Sequence, residues 1–349
     1  MAHFFAEYGL FLLKTVTSVV AILTCVIVIL SAATRSKRQE SKGTLQIESM
    51  NEAYDELKQM LDEQILDKDV FKKLKKQQKN LEKEKLKQKK LAVQKQVDSL
   101  DHAQEIKKRL FVLDFNGDMK ASRNAALAKE ITAVLSVATD RDEILVRLES
   151  PGGMVHAYGL AASQLERIVK KGISLTVAVD KIAASGGYMM ACIAHRIIAA
   201  PFAIIGSIGV VAQVPNIHKL LKKHDVDVDI LTAGEYKRTL TMLGENTEKG
   251  RQKFLQELEE THILFKAFVA QRRSQVDVSQ VATGEHWYAT QAKALHLVDE
   301  IMTSDEYLMD QMPTVDVYSV RYEPHKTLKD RLVTGVNQAV ERLLGITFY

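Results

Sequence analysis

Two short stretches of this chain carry residues that could do covalent chemistry. In "DKIAASGGYMMAC" (180–192), Ser185 stands between Ala184 and the pair Gly186–Gly187, ahead of an apolar run. The stretch follows a strand-like segment, so Ser185 is expected at or near a helix N-terminus. There, unpaired N–H groups and the helix dipole favour a developing alkoxide. The N–H of Gly186 can donate to an oxyanion, and the missing side chains at 186 and 187 leave room for a substrate. The plain alternative is a serine that caps the helix, with glycines that serve packing.

A serine nucleophile needs a base. His156, His286 and His296 are scattered, without the spacing of a catalytic or metal-binding set, and no metal is assigned. The candidate is Lys237 in "AGEYKRTL" (233–240), after a strand-like run at 226–232. A lysine accepts a proton only when neutral, which takes an apolar pocket and preferably a hydroxyl to orient the amine. The loop "FAIIGSIGVVAQ" (202–213) offers both, with Ser207 between Gly206 and Ile208. A surface lysine is the commoner role for such a residue. A second glycine turn, "ESPGGMV" (149–155), lets backbone approach a ligand at Gly152 and Gly153. It lacks the Lys-Ser/Thr ending of a phosphate loop, and alone it reads as an ordinary strand-to-helix turn.

The elements that must position these residues alternate. Strand-like runs at 109–115, 144–149, 173–179, 196–201 and 226–233 are separated by helical patterns at 122–138 and 156–171, and a charged helix is expected at about 246–274. Such alternation predicts an α/β domain with a mainly parallel sheet and flanking helices. In such sheets function gathers where strands end and helices begin.

Outside this domain the chain changes character. The 19 residues from Thr15 to Ala33 carry no charge, and at ~1.5 Å per residue they would span hydrocarbon as one helix. Their length and the sparse charge before them favour an uncleaved single-pass anchor over a cleaved signal peptide. Arg35, Lys37, Arg38 and Lys42 follow, which by the positive-inside tendency puts the rest in the cytoplasm. Residues 44–97 contain no glycine or proline, and Lys72–Lys90 holds ten lysines, a solvated helical spacer. No aromatic residues interleave them, so nucleic acid is not expected as a partner. The expected layout is 1–34 anchor, 35–106 basic helical connector, 107–322 catalytic domain and 323–349 amphipathic C-terminal helix. The net charge of +4 sits mostly in the connector, and two cysteines make no disulfide framework.

The segments "LESPGG", "DKIAASGGYMMAC", "GSIGV", "AGEYKRTLT" and "GEHWYATQAKALHLVDEI" occur in the order found in the signal peptide peptidase A family of membrane serine proteases, which the chain resembles over nearly its whole length. The resemblance is to the family's half-length bacterial members. It implies a crotonase/Clp-protease-like fold and a Ser-Lys dyad, with Ser185 as nucleophile, Lys237 as general base and Ser207 orienting the lysine. Gly152 and Gly186 would be the oxyanion donors. It further implies peptide or protein substrates, no cofactor, an inner-membrane anchor with the domain in the periplasm, and a homo-oligomer. Glu149 departs from the small polar residue that relatives often carry there. Two other functions fit the same features less well. A crotonase-like acyl-CoA enzyme does not account for the Ser-Lys pairing or the anchor, and a non-catalytic oligomeric scaffold would leave the serine unreactive.

Overall fold

The computed structural model describes residues 9–18, 43–67, scattered positions between 69 and 87, and 107–324. The described residues form two compact units, and Thr44–Glu323 is the larger. Residues 9–18 are helical. Most of the expected anchor, about half of the connector and nearly all of the expected C-terminal helix lie outside the described residues. Among those described, no helix is long and apolar enough to cross a membrane.

The larger unit is built on a seven-stranded sheet. Its strands are β1 (Thr44–Ser49), β2 (Arg109–Asn116), β3 (Glu143–Glu149), β4 (Ser174–Val179), β6 (Arg196–Ala199), β9 (Glu300–Ile301) and β10 (Asp316–Glu323). Their order is β1-β10-β2-β3-β4-β6-β9, parallel except for β1 against β10. A small second sheet holds β5 (Ile182–Ala184), β7 (Ile204–Gly206) and β8 (His286–Tyr288), in the order β5-β7-β8.

The central strands are apolar at successive residues because both faces are covered. Phe111, Leu113 and Phe115 of β2, with Ile144, Val146 and Leu148 of β3, enter one core. Leu110, Val112 and Leu145 enter the other. The first core takes the apolar stripes of helices α2 (Asn124–Leu135) and α3 (Val155–Lys170): Leu127, Ile131 and Val134 from one, and Tyr158, Ala161, Ala162, Leu165 and Ile168 from the other. The second is covered by the helix Ser304–Gln311, through Tyr307 and Leu308, and by Met50 of α1 (Met50–Ile65).

Two expectations are corrected. The basic connector is not helical from its start: Thr44–Ser49 is β1, paired with β10 from Thr44↔Glu323 to Ser49↔Tyr318. Its alternation Leu45, Ile47 against Gln46, Glu48 is a strand period that the lysine-rich sequence downstream obscures. Residues 226–233 form no strand. Val226, Val228 and Ile230 alternate with aspartates, but no neighbouring strand supplies hydrogen bonds, and Val226 and Ile230 stay exposed. Lys237 therefore does not stand at a strand exit.

The entry to β2 is pinned by a buried carboxylate. Asp142 accepts from Arg109 N, Nε and Nη2 and from Thr139 N and Oγ1, at 2.6–3.1 Å. Burial alone would raise this carboxyl, but the bonds from Arg109 and Thr139 hold it below its ordinary value. A depressed folded value stabilises above the unfolded value, about 3.9, and that stability is lost as pH falls through the folded one. Asp142→Asn should lower stability by about 2–4 kcal/mol at pH 7, with the gap to wild type narrowing below about pH 4. Urea unfolding of both chains at pH 7 and pH 3 checks this; an equal gap at both pH values would contradict it.

Candidate active site

Ser185 lies at the junction of β5 and the short helix α4 (Gly186–Ala191). Its backbone is at φ 52°, ψ −118°, a region that costs a non-glycine residue about 1–3 kcal/mol. The turn is held from both sides. Ser185 N–H donates to Gly206 O at 2.8 Å, and Ser185 O accepts from Met189 N at 3.0 Å. Ser185 occupies the N-cap position, yet its side chain makes no capping bond. The capping alternative therefore lacks its defining contact.

The parallel register pairs Ala184 with Gly206, so Ser185 and Ser207 follow each other's partners at the ends of β5 and β7. Ser207 also has a positive φ, 51°, and its N–H donates to Glu285 O at 2.7 Å. These two sequence candidates are thus brought together. Among the described residues, no hydrogen bond joins Lys237 to either of them. It is exposed and does not line the cavity beside Ser185. It belongs to a segment after β7 whose only helix is α5 (His218–Lys223). Among the described residues, the hydrogen bonds of 214–247 run within that segment or to the start of the long helix α6 (Glu248–Arg272): Asn216 to Thr241 and Gly244, Ile217 to Met242, Glu235 to Lys249.

The turn after β3 is stitched to β5. Ser150 N donates to Ile182 O at 2.8 Å, and Ala184 N to Ser150 O at 3.0 Å. Gly152, at φ +90°, packs so tightly that a Cβ there would lie 2.8 Å from Ser185 Cβ, Gly186 N and Ala184 O. Its N–H does not face the serine's cavity, because it donates to Ser150 Oγ at 3.1 Å. Gly153 lines the cavity instead, beside Ser185 and Gly186, and its N–H has no partner among the described residues. Gly186 opens α4, so its N–H has no acceptor within the helix. Of the two glycines at 152 and 153, the sequence pattern does not distinguish which N–H is free. The side-chain bond from Ser150 decides it.

The cavity at Ser185 has a volume of about 180 Å³ and is apolar. Val155, Met189 and Val210 form part of its wall, and Leu264, Phe265 and Phe268 of α6 form another. Among the described residues, no charged side chain lines it. The α6 contribution went unread in the sequence because Phe265 and Phe268 are embedded in a charged helix. Their i, i+3 spacing was the available signal.

Comparison with known proteins gives the family. A family model described as "Peptidase family S49 N-terminal" matches residues 3–165, and "Peptidase family S49" matches residues 167–317. A Haemophilus influenzae protein described as "Probable protease SohB" is 53% identical over 92% of this chain and 90% of its own length. A protein of the same description from Buchnera aphidicola subsp. Schlechtendalia chinensis is 45% identical over 88% of this chain and 99% of its own. A solved mutant of the "1510-N membrane-bound stomatin-specific protease", in complex with a substrate peptide, aligns at a TM-score of 0.42 and 15% identity, covering 67% of this chain and 99% of that one. With both family models matched in sequence order, and relatives alike over almost their full length, the chain belongs to peptidase family S49 and is a serine protease.

Proposed function

We propose that the chain is a membrane-anchored endopeptidase that cleaves peptide bonds through an acyl-enzyme on Ser185. The observation that carries this is a serine held on a strained strand-to-helix turn, uncapped, at the mouth of an apolar cavity edged by Gly153 and Gly186. Ser185 Oγ attacks the scissile carbonyl carbon, and the neutral amine of Lys237 takes its proton. The carbonyl oxygen becomes an oxyanion, accepted by the N–H groups of Gly153 and Gly186. Gly153 takes the place expected for Gly152, whose N–H is engaged by Ser150. Collapse passes the proton to the leaving amine, and water then releases the acyl group by the same steps. In this reading Ser207, beside Ser185 at the end of β7, orients the amine. The chemistry calls for no cofactor.

Since Lys237 is exposed and does not line the Ser185 cavity, the reading includes a homo-oligomer in which a neighbour supplies the lysine. The uncharged run Thr15–Ala33 supports an inner-membrane anchor. The mainly parallel seven-stranded sheet with helices on its faces supports the crotonase/Clp-like reading of the fold.

Labelling tests the nucleophile: a peptide phosphonate should modify Ser185, located by mass spectrometry, and modification of another serine would refute the assignment. The cavity wall adds a specificity prediction. A charged side chain placed there loses hydration without a partner, at a cost of several kcal/mol. Peptides with an apolar residue before the cleaved bond should show kcat/KM at least ~10²-fold above the same peptides with Asp or Lys there. Equal rates would separate the cavity from the acyl-side subsite.

A further inference from the structure

Behind the oxyanion turn lies a chain of hydrogen bonds whose proton order is fixed. The Tyr158 hydroxyl donates to Asp118 O at 2.8 Å, since a carbonyl only accepts. Its single proton is thereby used, so in its 2.6 Å contact with Ser150 Oγ it must accept. Ser150 Oγ, having given its proton to Tyr158, can only accept from Gly152 N–H. Ser150 and Tyr158 are both fully buried. Burial raises the Tyr158 phenol above its ordinary value, so it keeps the proton the chain requires.

The same pair touches the other side of the site. A Cβ at Gly186 would overlap the Tyr158 ring, one at Gly187 would lie 2.5 Å from Ser150 O, and one at Gly117 would overlap both hydroxyl oxygens. Gly117 and Gly186 make room for the two hydroxyl-bearing side chains, and Gly187 for the Ser150 carbonyl. An apolar core residue would fill the same volume without needing any acceptor. We propose that Ser150 and Tyr158 are positioning residues for the oxyanion hole: their ordered hydroxyls hold the Gly152 N–H inward, and so set the next N–H, that of Gly153, in register with that of Gly186. This rests on the catalytic reading above.

The test uses the full chain in detergent, with Tyr158→Phe, Ser150→Ala and Ser185→Ala made in parallel. Each is assayed on a chromogenic peptide and for binding of two inhibitors of one sequence: a peptide aldehyde, whose adduct with the serine presents its oxygen to the hole, and the corresponding alcohol, which only occupies the cavity. Removing an oxyanion donor outright costs about 10²–10³ in kcat, so misplacing one should cost about 10-fold or more. Tyr158→Phe and Ser150→Ala are expected to lose that factor in kcat and in aldehyde affinity, with KM and alcohol affinity within about twofold of wild type. Should Tyr158→Phe fail to fold, Ser150→Ala carries the same expectation. The proposal is overturned if the folded variants keep both kcat and aldehyde affinity, or if aldehyde and alcohol affinities fall together, as a merely collapsed cavity would give. Ser185→Ala separates the two readings. Full activity in it refutes the catalytic reading itself, whereas a dead Ser185→Ala beside a normal Tyr158→Phe refutes only the positioning role.

Discussion

Ser185→Ala and Lys237→Ala are each expected to cut peptide turnover by more than about 10²-fold, because a nucleophile and its base act as a unit and lose nearly everything when either is removed. Neither loss should be a folding effect. Ser185 makes no side-chain capping bond, and Lys237 is exposed in the chain. Exposed substitutions of this kind stay within about 0.5 kcal/mol, and removing Ser185 Oγ leaves intact the backbone bonds to Gly206 and Met189 that hold the turn. Turnover and urea unfolding measured on the same preparations separate the two effects. If Lys237→Ala retained more than about a tenth of wild-type turnover, lysine would not be the base.

The parts of this site that follow from local rules were legible in the sequence. A mostly apolar run such as "ILVRLE" is expected to be buried on both faces, and it lies in a central strand of a parallel sheet. Ser185 after such a run, before two glycines, could be placed at a strand-to-helix turn because only short-range spacing was involved. What was not legible depended on partners distant in sequence. The choice of Gly153 over Gly152 rests on Ser150, whose hydroxyl is turned by Tyr158 eight residues on and by Asp118 on another loop. The strand at Thr44–Ser49 needs β10 more than 250 residues later to pair with. Conversely, 226–233 has strand composition and no strand, because composition does not provide a neighbour to bond with.

The exposure of Lys237 leads to the last expected result. Co-assembled from inactive Ser185→Ala and inactive Lys237→Ala chains, the enzyme should recover activity. The segment from 208 to 247 makes its described hydrogen bonds within itself and to α6, and exposes Val211, Val226, Leu231 and Met242. An arm that exposes apolar side chains together with Lys237 is suited to lie on a second copy. There, burial would also remove water from the amine, which a general-base lysine needs. In a ring, each interface joins the serine of one chain to the arm of the next. With equal amounts of the two variants assembling at random, an intact serine meets an intact lysine at about one site in four, so activity should rise from background to about a quarter of wild type. Dilution that separates the subunits should abolish it. If each chain carries its own dyad, every site in the mixture lacks one member and nothing is recovered. Absence of rescue in an assembly shown by mass spectrometry to contain both chains would place the base within the subunit, and Lys237 would then have to reach Ser185 by a rearrangement of the 208–247 segment.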